Sequence, residues 1–280
     1  MQSFRFRQVD VFSSELHCGN PVAVVHDADN LSEASMAVFA RWTNLSETTF
    51  ILQPTQPGAD YRLRIFTPGG ELPFAGHPTL GSCHAWLEAG GKAGVESVLV
   101  QECPAGLVSI RRDAGRLAFA APPLLRSGPL DAALLAKLTL AIGLRPEHVI
   151  AHQWVDNGPG WCALLLDSAE RVLSVNPDFP ALGDTPLGLV GPYTDAHAAD
   201  FEVRAFVPSL GVPEDPVTGS LNASIAQWLI GANIAPARYM ACQGTAIGRR
   251  GRVHISADAA GVWVGGDCQT LIEGQAAFSG

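Results

Sequence analysis

Arg64-Ile65-Phe66-Thr67-Pro68, followed by Pro73-Phe74-Ala75-Gly76-His77 and a run of small residues ending at Trp86, is echoed later in the chain. There the order is Arg204-Ala205-Phe206-Val207-Pro208, then Pro216-Val217-Thr218-Gly219-Ser220, then a small-residue run ending at Trp228. The R-x-F-x-P elements lie 204 − 64 = 140 residues apart and the P-x-x-G elements 216 − 73 = 143, so the second connection is three residues longer. Two matches in the same order, each followed by a similar segment, define an internal repeat, and the chain reads as two structurally related halves.

The segments after each glycine differ from ordinary surface helices. Residues 78–87 and 221–230 contain no Asp, Glu, Lys or Arg, and a helix without a charged face is a buried helix. Strand candidates surround both. In the first half they are residues 4–11, 21–25, 48–52, 61–66, 97–101, 106–111 and 117–120. In the second they are 149–151, 161–166, 187–191, 201–207, 252–256 and 261–266. Many are rich in Val, Ile and Phe and bounded by Gly, Pro or Asp. Two amphipathic helices are expected at the surface. Residues 32–42 have Ser32 as cap and Met36, Phe39 and Ala40 on one face; residues 131–142 end at Gly143. One uncharged helix per half predicts an α/β (α+β) fold of two pseudo-symmetric halves, each a mostly antiparallel sheet curled around a central helix. The segment Ala121-Pro122-Pro123-Leu124-Leu125-Arg126-Ser127-Gly128-Pro129 interrupts both helix and ladder. It places the halves at 1–122 and 123–280, with the final strand free to return to the first half.

The 280 residues are 47% apolar and 16% charged, enough to bury a sizeable core and too little charge for a disordered or coiled-coil chain. A formal net charge of −9 argues against a general nucleic-acid binder, which needs a basic face against phosphate. The stretch Met1-Gln2-Ser3-Phe4-Arg5-Phe6-Arg7 lacks a signal-peptide core, and no run of about 18 apolar residues occurs. The expectation is a soluble, cytoplasmic protein with no membrane partner. The six cysteines are far apart and form no C-x-x-C pair, so they read as reduced thiols. Lys92 and Lys137 are the only lysines, and neither has a setting suited to a Schiff base. Neither G-x-x-x-x-G-K-[ST] nor a helix-opening G-x-G-x-x-G is present. Pyridoxal phosphate, ATP and NAD are therefore disfavoured, no cofactor is expected, and any chemistry falls to side chains.

Both uncharged helices start at the glycine of the repeated P-x-x-G element, Gly76 and Gly219. A buried helix N-terminus offers backbone N–H groups and partial positive charge to a carboxylate or developing oxyanion. A single such glycine reads better as a packing device; two symmetric ones favour a shared site. Pro78 suits an early helical position, and the Ser220 hydroxyl is placed to cap the second helix. Glu47 is the only charged residue between Arg41 and Asp60, in Asn44-Leu45-Ser46-Glu47-Thr48-Thr49-Phe50. A buried carboxyl there would have the raised pKa of a general acid/base; a solvated loop glutamate is the equal alternative. Asp215, next to Glu214 and bracketed by Pro213 and Pro216, is either aimed by a stiff turn or an ordinary Asp before proline. His77 is either a proton carrier or a cap. The pairs His77/His84 and His148/His152 have metal-like spacing, but no carboxylate or cysteine completes a set, and no metal is expected.

These pieces together resemble the PhzF family of phenazine biosynthesis-like proteins. The resemblance rests on Asp10-Val11-Phe12, Gly19-Asn20-Pro21-Val22-Ala23-Val24-Val25, Asn44-Leu45-Ser46-Glu47-Thr48-Thr49-Phe50, Arg64-Ile65-Phe66-Thr67-Pro68, Gly76-His77-Pro78-Thr79-Leu80-Gly81, Glu214-Asp215-Pro216-Val217-Thr218-Gly219-Ser220 and Gln243-Gly244, in that order across the chain. It implies the diaminopimelate-epimerase-like fold with a site between the halves, a homodimer and no cofactor. The family's phenazine-pathway activity is isomerisation of trans-2,3-dihydro-3-hydroxyanthranilic acid by moving a proton between ring carbons. By motif match the resemblance assigns the catalytic glutamate to Glu47, the G-H-P histidine to His77, and the aspartate and serine of E-D-P-x-T-G-S to Asp215 and Ser220. Gly76 and Gly219 would supply amides that hold the substrate. The racemases of the same fold place a cysteine at each helix start; here those positions hold His77 and Ser220, with Cys83 two turns further on.

The expected function is cofactor-independent isomerisation of a small carboxylate-bearing substrate, dihydroaromatic or amino-acid-like, with catalysis by Glu47, His77 and Asp215 and binding by Gly76, Gly219 and Ser220. The alternatives are an amino-acid racemase or epimerase of the same fold and a non-catalytic small-molecule binding protein.

Overall fold

The computed structural model describes residues 1–95, 97–113, 115–208 and 213–279. The part of the repeat's longer connection at 209–212, with Val212, lies outside the described residues. Two compact units divide the chain: unit 1 is Met1–Ala120 with Gly265–Gly280, and unit 2 is Ala121–Val264.

In chain order the first elements are β1 (Gln2–Val11), β2 (Asn20–Val25), α1 (Glu33–Thr43), β3 (Glu47–Leu52), β4 (Tyr61–Thr67), β5 (Gly70–Leu72), α2 (Gly76–Glu88), β6 (Val98–Cys103), β7 (Gly106–Asp113) and β8 (Arg116–Ala120). They are followed by α3 (Ala132–Ala141), β9 (Val149–Trp154), β10 (Cys162–Leu166), α4 (Ala169–Ser174), α5 (Phe179–Leu182), β11 (Leu187–Pro192) and β12 (Phe201–Phe206). The last are β13 (Glu214–Asp215), α6 (Gly219–Gly231), β14 (Arg238–Gln243), β15 (Gly251–Asp258), β16 (Gly261–Gly266) and β17 (Cys268–Phe278). Among the described residues, no helix is long and apolar enough to cross a membrane.

In unit 1, β1 pairs antiparallel with both β17 and β2. β2 then runs parallel to β3, β3 antiparallel to β4, and β4 takes β5 antiparallel and β6 parallel on its other edge. Antiparallel β7 and β8 continue the sheet. Helix α2 packs against β1, β2, β3, β8 and β17. Its absence of charge is thus matched by its burial from Gly76 through Cys83. At Gly81 a Cβ would come within 2.5 Å of Val22 and 2.9 Å of Val11, so glycine lets helix and strands approach closely. Two buried polar pegs fix the helix in register: Ser82 and Thr49 hydroxyls 2.8 Å apart, and Gln101 donating to Thr79 at 3.0 Å. Outside the sheet, Met36 and Ala40 of α1 pack on Phe50 and Phe66, with Phe39 half-buried beside them. Ser32 caps that helix, accepting from Ser35 N, as its position predicts.

Unit 2 repeats the order of pairing. β9 is antiparallel to β10, β10 parallel to β11, β11 antiparallel to β12, and β12 takes β13 antiparallel and β14 parallel. β15 follows antiparallel. The match reaches individual residues. Phe66 lies opposite Glu71 and Phe206 opposite Glu214. Arg64 pairs with Glu71 over the Phe66 ring, and Arg204 pairs with Glu214 over the Phe206 ring. The R-x-F-x-P motif therefore marks the same strand twice. Helix α6 is buried along most of its length, while α3, α4 and α5 cover the sheet around Leu164, Leu189 and Phe206.

The mixed α+β fold agrees with the sequence reading, with additions. Strands β5, β13, β14 and β17 and helices α4 and α5 were not anticipated as elements. β5 and β13 are too short for any periodicity to register, and β17 starts half-buried and then runs exposed over residues 272–275. The Ser220 hydroxyl does not cap α6. Thr218 occupies the cap position without a side-chain bond to the helix, and Ser220, inside the first turn, accepts from Trp161 Nε1 at 3.1 Å.

Candidate active site

In unit 1, helix α1 ends on Asn44 in the left-handed conformation (φ 53°), and the chain enters β3 at Glu47. Parallel pairing sets Glu47 opposite Val22, and the pegs between α2 and the sheet bring the start of α2 to the same end. As a result Glu47 Oε2 lies 3.3 Å from His77 Nε2, with side-chain exposures of 14% and 4%. The carboxyl is no solvated loop group. Burial pushes its pKa up to about 7, opposed by a hydrogen bond from the Ser46 hydroxyl. Both protonation states are thus accessible at neutral pH, as an acid/base requires.

His77 has a second neighbour. Asn20 Nδ2 lies 3.3 Å from its Nδ1, in the protein interior. Asn20 begins β2 directly after a turn held by Asp10, whose buried carboxylate accepts from the amides of Cys18 and Gly19 at 3.0 Å each. Residue 19 must be glycine for this, since a Cβ there would sit 2.2 Å from Val11 O. The first helical bond of α2 runs from Thr79 N to Ala75 O, so the amides of Gly76 and His77 stand ahead of it, at the positive end of the helix.

In unit 2, Asp215 ends β13 and accepts from the Thr218 hydroxyl at 2.6 Å. Its neighbour Glu214 is committed to Arg204, so the paired acids divide their tasks. Gln243 organises the segment before α6: its Oε1 accepts from Thr218 N and Asn222 Nδ2, and its Nε2 donates to Asp215 O and Thr218 Oγ1. Ser220 is held by Trp161, and Asn157 donates to its carbonyl. Gly219 and Ser220 open α6, ahead of its first bond from Asn222 N to Thr218 O.

Unit 1 therefore brings Glu47, His77 and Gly76 together, and unit 2 gathers Asp215, Gly219 and Ser220. Sequence reasoning assigned no role to Asn20, Ser46, Gln243, Thr218 or Trp161. Asn20 and Gln243 each stand beside a glycine at a strand end, the one local sign of their use. The histidine pairs are occupied otherwise: His84 contacts Glu88 at 3.3 Å, while His148 and His152 each accept from a backbone amide. Among the described residues no group of three or more His, Cys, Asp or Glu could hold a metal ion. All six cysteines are free. Cys83 is buried, and burial pushes its thiol to about 12 against a hydrogen bond from Tyr61, which leaves it no thiolate character near neutrality.

The family model of phenazine biosynthesis-like proteins, PhzC-PhzF, matches residues 9–279. The chain belongs to this family. It is 37% identical to Antisense-enhancing sequence 1 of Schizosaccharomyces pombe, over 98% of this chain and 99% of the relative. It is 36% identical to trans-2,3-dihydro-3-hydroxyanthranilate isomerase of Pseudomonas aeruginosa, over 97% and 99%. A crystal structure of a PhzF-family protein from Enterococcus faecalis matches with a TM-score of 0.81 at 27% identity, covering 99% of this chain and 100% of that one. At the level of the family, this PhzF-type chain is isomerase-like.

Proposed function

We propose that this PhzF-family chain is a cofactor-independent isomerase that moves a proton on a small carboxylate-bearing substrate, dihydroaromatic or amino-acid-like. The observation that carries the reading is the buried Glu47 carboxyl, poised at about 7 and 3.3 Å from His77 Nε2. In its ionised form Glu47 removes a proton from carbon next to the conjugated acid. The resulting negative charge is delocalised towards the substrate carboxylate, where helix-start amides such as Gly76 oppose it. Glu47 then returns the proton to a second carbon. His77, whose Nε2 lies 3.3 Å from Glu47 Oε2, is assigned to orienting the substrate or shuttling protons. Asp215, ordered through Thr218 and Gln243, is assigned to the substrate amine or hydroxyl, and Gly219 and Ser220 to binding. The family's motifs in this sequence and the 36% identity to trans-2,3-dihydro-3-hydroxyanthranilate isomerase of Pseudomonas aeruginosa support these assignments.

A two-thiol racemase is a poorer reading, because His77 and Ser220 stand where thiols would be needed and Cys83 is held protonated. The test is to incubate the protein with trans-2,3-dihydro-3-hydroxyanthranilate in deuterated water and follow product and label by NMR. Isomerisation that depends on Glu47 supports the reading. No turnover of this acid or of related dihydroaromatic acids and amino acids by folded protein would leave it a binding protein.

A further inference from the structure

In unit 2 an acceptor beside the start of α6 is left over. Asn157 donates through Nδ2 to Ser220 O at 2.9 Å. A backbone carbonyl can only accept, so this contact fixes which end of the amide is which. The other end, Oδ1, is buried and has no hydrogen-bond partner among the described residues. Native chains satisfy nearly all such atoms, so an exception calls for a partner. The residue as a whole is only half-buried, so a ligand can reach it without opening the core.

The loop between β9 and β10 is built to hold Asn157 in place. Asp156 Oδ1 accepts from Gly158 N at 2.8 Å and from Gly160 N at 2.7 Å. Those two glycines take φ of 139° and 86°, which a side chain would resist. The stem is closed by Val155 N donating to Trp161 O at 3.0 Å, and by Asp156 N donating to Arg126 O at 3.1 Å. Trp161 then donates from Nε1 to Ser220 Oγ at 3.1 Å. One loop therefore grips Ser220 twice, at its carbonyl and at its hydroxyl; Ser224 Oγ also donates to that carbonyl at 3.1 Å. Having accepted from Trp161, the Ser220 hydroxyl keeps its own proton to donate. A donor and an acceptor thus stand on neighbouring groups.

We infer that Asn157 is a specificity-determining residue, whose Oδ1 accepts from an amine or hydroxyl that the substrate carries beside its carboxylate. The inference rests on the reading of Gly219 and Ser220 as binding groups. Asp215 is already assigned to one such amine or hydroxyl, and Asn157 adds a second acceptor. The substrate class narrows accordingly, from any small carboxylate to an acid bearing both an amine and a hydroxyl. Discrimination arises because an acid without the second donor leaves Oδ1 buried and unpaired.

The experiment reads binding and needs no turnover, so it can fail separately from the proposed isomerase activity. Calorimetry of the whole chain compares 3-hydroxyanthranilate, which carries both donors, with benzoate, which carries neither. Wild type should bind the first at least about 10-fold more tightly, and Asn157→Ala should shrink that ratio about 5-fold or more. An Asn157 that only braces the loop would weaken both acids equally and keep the ratio. That result overturns the inference and leaves the isomerase reading standing. A wild type without preference between the acids overturns it too, and one that binds neither acid also counts against Ser220 and Gly219 as binding groups. Where Asn157→Ala fails to fold by its melting curve, the carbon-13 shift of Asn157 Cγ in wild type decides. It should move downfield with 3-hydroxyanthranilate and stay in place with benzoate; an equal response to both overturns the inference.

Discussion

Glu47 corresponds, strand for strand, to Pro186. In unit 1 Phe50 lies opposite Arg64, and in unit 2 Leu189 lies opposite Arg204; three residues before each stand Glu47 and Pro186. Where unit 1 has an ionisable carboxyl, unit 2 has the aliphatic ring of Pro186, whose backbone carbonyl accepts from Cys162 N at 3.1 Å. The repeat has kept the scaffold and placed this carboxyl in one half only. A single base that removes a proton and returns it suits transfer between carbons better than a two-base exchange at one stereocentre.

Glu47→Gln keeps shape and one hydrogen-bonding oxygen but cannot accept the proton. General acid–base groups contribute on the order of 10²–10⁴-fold, so the variant should melt like wild type at mildly acidic pH and lose at least about 100-fold in turnover of any substrate found. Steady-state kinetics checks this. Full activity in folded Glu47→Gln protein contradicts the mechanism.

Stability should also report on Glu47. Its carboxyl is protonated in both folded and unfolded chains well below the ordinary value of 4.5. Between there and about 7 the unfolded chain gives up its proton first. Folding is therefore weakened as pH rises through this window, by about 3 kcal/mol at its upper end. Melting curves at pH 4.5 and pH 8 should show wild type losing several degrees relative to Glu47→Gln. Parallel curves at both pH values would mean that the carboxyl is solvated.

The two arginines of the repeat should differ sharply on truncation. Arg204 and Glu214 are 5% and 8% exposed, and Arg204 also donates to the carbonyls of Val172 and Val175. Arg204→Ala leaves a buried carboxylate without its partner, a loss of about 3–5 kcal/mol. Arg64 and Glu71 are 23% and 25% exposed, and Arg64→Ala should cost about 0–1 kcal/mol. Denaturant unfolding of both variants measures the contrast, and equal losses would refute it.

Thiol chemistry gives an independent check on packing. Cys83 and Cys162 are fully buried, and burial pushes both thiols up to about 12. Cys18 is half-buried at the turn before β2. Brief treatment of native protein with iodoacetamide should modify Cys18 and spare Cys83 and Cys162, read by peptide mass spectrometry. Labelling of Cys83 at a rate matching Cys18 would place α2 outside the sheet.

The chain by itself determined the repeat, the two uncharged helices and the α1 cap, because each depends on residues close in sequence. Arg64 and Phe66 keep their spacing in the second half, and a helix without charge has nowhere to go but inside. Local sequence left Glu47 undecided between loop and interior. That was settled by β2, which lies beside Glu47, and by α2, which brings His77 to it; desolvation is a property of everything around a group, not of its neighbours in the chain. Asn20 and Gln243 were readable only as motif members, since their partners His77 and Asp215 lie 57 and 28 residues away. The last strand is the extreme case. β17 has a polar, exposed run that alone predicts little, and it becomes a strand because β1 supplies its ladder, with Gln2 opposite Phe278. Strand pairing is a contract between distant segments, and tertiary structure alone brings both parties together.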